Sequence, residues 1–234
     1  MRSRGSWLGG ASRIESVSDS TRGLPRAVEP DLTERLVDAT ILGAVLPVAV
    51  AGGLQAGGAE VPESVAPNIR SRSYTIAAEL DIDTTEAGGV ILSQGSRFGG
   101  HALYVKDGKL TYVYNWIGEL VQVVASTEPV PTGHVVLSAS FDKEGETMPA
   151  KGTVSLYIRD QKVGEGAIQT QPGKFGLGGG GLVVGRSGAE PVGEYSGDAP
   201  WPFVGGTIKR VIIDVSGEAF VDLAREAQVA FARQ

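Results

Sequence analysis

The feature that most constrains the fold is residues 101–114, where apolar and polar residues alternate on both sides of the dipeptide Asp107-Gly108. This dipeptide is typical of a type I′ turn, because Asp and Gly tolerate the positive φ that both central residues need. The stretch therefore predicts two antiparallel strands joined by a two-residue turn. The predicted register pairs Val105 with Leu110, Leu103 with Tyr112, and His101 with Tyr114.

The two faces of this hairpin differ in polarity. The paired residues form a mainly apolar face, whereas Tyr104, Lys106, Lys109 and Thr111 alternate with them on the other face. This pattern is typical of an antiparallel ribbon with one face in the core and the other in solvent. We therefore expect the second face to point to water.

A second copy of the hairpin lies downstream. Residues 156–163 repeat residues 103–110 position by position, which predicts a second turn at Asp160-Gln161. Gln161 stands where the first copy has Gly, and it tolerates positive φ poorly. Two hairpins that are well separated in one chain favour a β-sandwich over a helical core.

Alternation recurs elsewhere in the chain, at 74–82, 135–141 and 207–215. In the last of these the inward-facing positions shift from even to odd residue numbers between Ile208 and Val211. This shift predicts a β-bulge at Lys209-Arg210. With the turns between them, the segments predict about ten strands. The predicted fold class is all-β, an antiparallel two-sheet jelly-roll sandwich.

The predicted domain organisation has three parts: an irregular extension over 1–60, the sandwich over 61–216, and a helix over 217–234 capped by Ser216. The apolar segment 39–54 resembles a signal peptide or membrane span only poorly, because Pro47 interrupts it and acidic residues precede it. We expect it to be a buried strand or connector. No signal peptide or transmembrane segment is recognised, and the sequence leaves the compartment unknown. The predicted helix has one apolar side, formed by Phe220, Leu223, Ala224, Ala227 and Phe231.

Charge and composition exclude several functions. The net charge of −6 and the pI near 5.1 argue against a nucleic-acid surface. The chain has no cysteine, so disulfides, thiolate metal sites and cysteine nucleophiles are excluded. His101 and His134 have no acidic or histidine neighbour at ligand spacing, and we expect both at the surface or the core edge. The sequence therefore predicts no metal and no cofactor.

Three carboxylates alternate along one predicted strand, at Glu79, Asp81 and Asp83. Certain jelly-roll glycosidases use such a row, with the outer two residues as nucleophile and acid/base. The simpler interpretation is a solvated strand face, because Leu80 and Ile82 point to the core.

A row of aromatic residues alternates at Tyr112, Tyr114 and Trp116, and such rows either stack on sugar rings or pack cores. Tyr112 shares the apolar face of the hairpin. For a ligand-binding surface the candidates are Arg97, Tyr114 and Trp116.

Four stretches resemble the C-terminal region of bacterial arylsulfatase-type sulfatases: 61–76, 94–110, 182–188 and 201–211. The resemblance covers 61–215 and implies a concanavalin A-like, or laminin G-like, sandwich. Where the family often has Asp after Val-Gly-Arg, this chain has Ser187. Sulfatases act through a formylglycine made from a Cys/Ser-x-Pro-x-Arg motif beside a calcium ion. The chain has no such motif and no large α/β catalytic domain, so no sulfatase site residue carries over.

We therefore expect a non-catalytic module of the arylsulfatase C-terminal type, truncated or split off from its catalytic part. Its expected partners are a sulfatase catalytic domain or chain, or glycans, with no nucleic acid and no membrane. The alternatives are a carbohydrate-binding, lectin-like module and a jelly-roll glycosidase that uses Glu79 and Asp83.

Overall fold

A computed structural model describes residues 58–175, 180–188 and 190–215. These residues form ten strands in two five-stranded antiparallel sheets, which confirms the predicted all-β jelly-roll sandwich. The strands are β1 Tyr74–Ile82, β2 Gly89–Ser96, β3 Gly99–Lys106, β4 Lys109–Trp116, β5 Leu120–Pro129, β6 Gly133–Glu144, β7 Ala150–Ile158, β8 Gln161–Thr170, β9 Leu182–Val184 and β10 Gly206–Asp214.

The strand order is β5-β4-β3-β2-β9 in one sheet, called sheet A, and β10-β1-β6-β7-β8 in the other, called sheet B. Apolar side chains at every second position of both sheets meet in one continuous core. The largest side chains of this core are completely buried, among them Tyr112, Tyr114, Phe141, Leu137 and Leu156. Across the core, the hydroxyl groups of Tyr74 in β1 and Tyr112 in β4 lie 2.6 Å apart.

The first hairpin has the predicted register. Strands β3 and β4 pair Val105 with Leu110, and the φ angles of Asp107 and Gly108 are 52° and 71°. Positive φ at both turn residues is the signature of the type I′ turn that the dipeptide predicts.

The second hairpin turns one residue earlier than predicted. Arg159 takes the positive φ, at 58°, and Ile158 pairs with Gln161. Because Gln161 is not glycine, it stays in the strand, and a register shift between Leu156 and Tyr157 absorbs the difference.

Strand β10 contains the predicted bulge. Its partner β1 pairs Glu79 with Arg210 and Leu80 with Ile208, so Lys209 is the extra residue. Ile208 and Val211 both remain buried on the core side. The bulge thus explains the parity change in the sequence.

Tyr104 and Thr111, on the outer face of sheet A, do not point to water as predicted, because both are buried. The segment of residues 185–188 and 190–205, called the strap, packs against Tyr104 in β3 and Val113 in β4. Tyr195 of the strap contacts Tyr104 edge to face, and Trp201 contacts Tyr195 in the same way. The polar residues of the alternation therefore mark a second, smaller packing layer.

Several predictions fall outside the described residues. These are nearly all of the extension 1–60, the apolar segment 39–54, and the helix 217–234 with its cap Ser216. Within the described ranges, no helix has the length and hydropathy needed to cross a bilayer.

Candidate ligand-binding site

The turn between β2 and β3 projects Arg97 and Phe98 from one end of sheet A. The strand ends that carry the turn are rich in glycine, with φ of 96° at Gly95, 142° at Gly99 and 150° at Gly100. A side chain at Gly95 would place its Cβ 2.2 Å from the carbonyl oxygen of Gly99. Only glycine allows the two strands to approach so closely here.

A buried amide, Asn115 at the end of β4, fixes this turn. Its Nδ2 donates to the carbonyl oxygen of Arg97 at 3.0 Å and to that of Val192 in the strap at 3.1 Å. Its Oδ1 accepts a hydrogen bond from the backbone N–H of Gly118 at 2.9 Å. One side chain therefore joins the β2–β3 turn, the β4–β5 turn and the strap.

A second amide, Gln171, supports the β4–β5 turn from behind. Its Oε1 accepts from the backbone N–H of Ile117 at 3.3 Å, and its Nε2 donates to the carbonyl of Lys174 at 2.8 Å. Its own backbone N–H donates to the hydroxyl of Tyr114 at 2.9 Å. The turn is thus anchored to the interior of the sandwich by hydrogen bonds.

The guanidinium of Arg97 lies over the ring of Phe98, with its Cζ 4.7 Å from the ring centroid. Its Nε lies 3.4 Å from an Oε of Glu190 in the strap. Both members of this ion pair are open to solvent, with side-chain exposures of 63% and 51%. The β2–β3 turn and the adjacent strap therefore combine an accessible cation, an accessible acid and an accessible ring.

The surface around Phe98 is apolar. Phe98 is 64% exposed, and Ile117 and Leu120 at the neighbouring β4–β5 turn are 43% and 44% exposed. Val121 and Val123 in β5 are also exposed. Exposed apolar patches of this kind mark interaction surfaces on soluble proteins.

Of the three predicted binding residues, the structure places only Arg97 on an open surface. Tyr114 is completely buried, and burial raises the pKa of its hydroxyl well above the ordinary value, so its ring cannot receive a sugar. Trp116 is partly buried and packs against the main core. Alternation predicted the shared face of these aromatics correctly, but that face is the core face.

Sequence reasoning missed Phe98, Asn115 and Glu190. The glycines on both sides of Arg97-Phe98 were the available signal, because such a concentration indicates a turn whose backbone is specially shaped. Asn115 gave no signal, because a strand residue in the interior of an alternating pattern is expected only to pack.

The carboxylates Glu79 and Asp81 belong to an ion-pair network on the outer face of sheet B. Arg210 donates to Glu79 at 2.6 Å, and Lys209 contacts Asp81 at 2.8 Å. His134 of β6 lies between them, 3.1 Å from Asp81 and 3.7 Å from Glu79. These neighbours of His134 are distant in the sequence, so spacing along the chain did not indicate them. Pairing of β6 with β1 places Asp81 opposite His134.

The acids of this network have basic partners. Asp83 lies directly after the end of β1 and is exposed to solvent. Arg210 binds Glu79, and hydrogen bonds from Lys209 and His134 lower the pKa of Asp81, so both acids already have partners. The geometry therefore agrees with the simpler interpretation of a solvated strand face.

His101 corrects another expectation, because it is completely buried and not at the surface or core edge. Its Nε2 lies 3.2 Å from Oε1 of Gln94, and its ring contacts Tyr74, Tyr112 and Phe175. Burial lowers the pKa of its imidazole to about 3. His101 is thus a neutral core residue. Nowhere in the described ranges do three or more His, Asp or Glu side chains converge as a metal site.

Comparisons with known proteins find similar structures but no similar sequences. No protein-family model matches the chain, and no curated protein sequence matches it. Among solved structures, a carbohydrate-binding module CBM40 of the Ruminococcus gnavus IT-sialidase is 17% identical with a TM-score of 0.45. The likeness covers 76% of this chain and 92% of that one.

Two further structures have similar scores. Domains LG4-5 of the mouse laminin α1 chain are 12% identical, with a TM-score of 0.47 over 74% of this chain and 44% of that one. A SAP-like pentraxin from Limulus polyphemus is 14% identical, with a TM-score of 0.38 over 61% of this chain and 63% of that one. None of these comparisons supports a relation to sulfatases, which therefore remains a proposal.

Proposed function

We propose that this chain is a non-catalytic β-sandwich module that binds saccharides at the β2–β3 turn. The observation that carries the proposal is Phe98, a ring that is 64% exposed beside the guanidinium of Arg97. An open aromatic ring offers a stacking surface for a sugar, and a guanidinium donates hydrogen bonds to its oxygens. Among the Phe, Tyr and Trp residues that the structure describes, only Phe98 is largely exposed.

The surroundings of Phe98 support a binding role. Asn115 and Gln171 hold the two adjacent turns in place, so the side chains of the β2–β3 turn project from a fixed backbone. A preformed site loses less conformational entropy on binding than a flexible one. The network on sheet B also has an exposed ring, the imidazole of His134, but that ring is itself paired with Asp81 and Glu79.

The outer face of sheet A does not provide an alternative surface over most of its area. The strap covers β3 and β4, including Tyr104 and Val113. A saccharide is therefore expected at the end of the sheet and not across it.

The experiment is a glycan array probed with the purified full chain, followed by calorimetry on the strongest binder. We expect Phe98→Ala to weaken binding at least tenfold. Val204→Ala is the matched control, because Val204 is 55% exposed and pairs with Gly88 at the opposite end of β2. Equal binding by the two variants, or no binding to any glycan, contradicts the proposal.

A second candidate function is docking onto a sulfatase catalytic domain or chain, which the resemblance to arylsulfatase C-terminal regions implies. The exposed side chains of Val121 and Val123 on β5 favour it, because a partner that covers them removes apolar surface from water. Its test is the activity of the purified chain and its binding to a separately expressed sulfatase domain. Cleavage of p-nitrophenyl sulfate by the chain alone contradicts both candidates.

A further inference from the structure

We infer that the saccharide carries an acidic group, a carboxylate or a sulfate, which replaces the carboxylate of Glu190 at Arg97. This inference rests on the proposed function and names the class of ligand. It starts from the ion pair between Arg97 in the β2–β3 turn and Glu190 in the strap. The Nε of Arg97 lies 3.4 Å from an Oε of Glu190.

The carboxylate of Glu190 is easily displaced. Both side chains of the pair are more than half exposed, and exposed ion pairs contribute little because water screens them. Little free energy is therefore lost when a ligand anion displaces Glu190 from Arg97. Glu190 in turn shows that this position already accepts an anionic oxygen.

Arg97 is better prepared for an anion than an ordinary surface cation. Its guanidinium lies over the ring of Phe98, and its backbone carbonyl is fixed by Asn115. A guanidinium binds a carboxylate or a sulfate through two parallel hydrogen bonds. A sugar that stacks on the apolar surface of Phe98 thus has a directed donor beside it.

Lys209 and Arg210 of sheet B lack this combination. Arg210 lies 2.6 Å from Glu79 and Lys209 lies 2.8 Å from Asp81, whereas Arg97 lies 3.4 Å from Glu190. The exposed ring beside them is the imidazole of His134, which contacts Asp81 and Glu79 and is not an apolar stacking surface. The β2–β3 turn therefore offers an anionic sugar a more accessible guanidinium than this network does.

The experiment measures binding of the full chain to lactose, 3′-sulfolactose and 3′-sialyllactose by calorimetry at low ionic strength. We expect the acidic sugars to bind at least tenfold more tightly than lactose, and the tighter of the two identifies the acidic group. Arg97→Gln should remove this difference, and Arg97→Lys should restore part of it.

Glu190→Gln gives the sharpest result, because removal of the competing carboxylate should tighten binding of the acidic sugars severalfold and leave lactose unchanged. Glu194→Gln is the matched control, since it makes the same charge change at an exposed position of the same strap. Equal affinities for lactose and the acidic sugars, or equal effects of the two variants, overturn this inference alone. Binding of none of the three sugars also overturns this inference, whereas the glycan array with Phe98→Ala decides the proposed function.

Discussion

The side-chain amide of Asn115 donates a hydrogen bond to the backbone carbonyl of Arg97 at 3.0 Å, from a position that is only 3% exposed. Asn115 belongs to β4 and Arg97 to the turn after β2, so the bond crosses the neighbouring strand β3. The presentation of the proposed binding residues therefore depends on a residue that touches no ligand.

Asn115→Ala should destabilise the domain by about 2–4 kcal/mol, because it leaves buried backbone groups without their partners. It should also abolish saccharide binding at temperatures where the domain remains folded. Urea denaturation and hydrogen exchange at Gly118 measure the two effects. Asn115→Asp is the companion variant, because a carboxylate has the same size but cannot donate hydrogen bonds to the carbonyls of Arg97 and Val192. An unchanged rate of hydrogen exchange at Gly118 in both variants would show that Asn115 does not hold the turns.

His101 should make the stability of the domain depend on pH. Its folded pKa of about 3 lies below its unfolded value near 6.5, so the unfolded state takes up a proton first as the pH falls. Stability is complete above pH 6.5 and decreases below it, by about 2–3 kcal/mol at pH 4.5. His101→Leu should flatten this part of the pH profile in urea titrations, and an equally steep profile in the variant would contradict burial of His101 as its cause.

Gly95→Ala should be far more damaging than Gly108→Ala. Both glycines have positive φ, but the new Cβ at Gly95 meets backbone at 2.2 Å, while Gly108 has open space around it. We expect a loss of about 1 kcal/mol at Gly108 and at least about 3 kcal/mol at Gly95. Thermal unfolding measures both, and similar melting temperatures would disprove the close approach at the β2–β3 turn.

The ion pair of Glu79 and Arg210 should contribute little to stability. Arg210 is 39% exposed and Glu79 22%, so solvent screens their attraction. A double-mutant cycle with Glu79→Gln and Arg210→Gln should give a coupling of at most about 1 kcal/mol, which decreases as salt is added. A coupling of several kcal/mol that persists in salt would indicate a buried network with a further role.

Much of the fold was predictable because the hairpin information is local. Alternation and the Asp-Gly dipeptide predicted the pairing of β3 with β4 residue by residue, and the parity change predicted the bulge at Lys209. The second turn was misplaced by one residue, because a bulge between Leu156 and Tyr157 leaves no trace in composition.

The strap and the site were less predictable because they depend on contacts between distant segments. Nothing in the alternation around Tyr104 indicates that Tyr195, 91 positions later, covers it. Arg97 was found as a candidate, but its partners Asn115 and Glu190 come from another strand and from the strap. Tyr114 was misassigned because a core row and a binding row of aromatics have the same spacing.

The bulge at Lys209 has a consequence for how this edge of sheet B tolerates change. In a regular strand, consecutive residues point to opposite faces, yet Lys209 and Arg210 both reach acids on the outer face. One additional amino acid therefore lets two neighbouring cations share the outer face. A single-codon deletion of Lys209 would leave a regular strand in which Ile208 still points inward, so this edge should survive shortening by one residue and lose only the contact with Asp81.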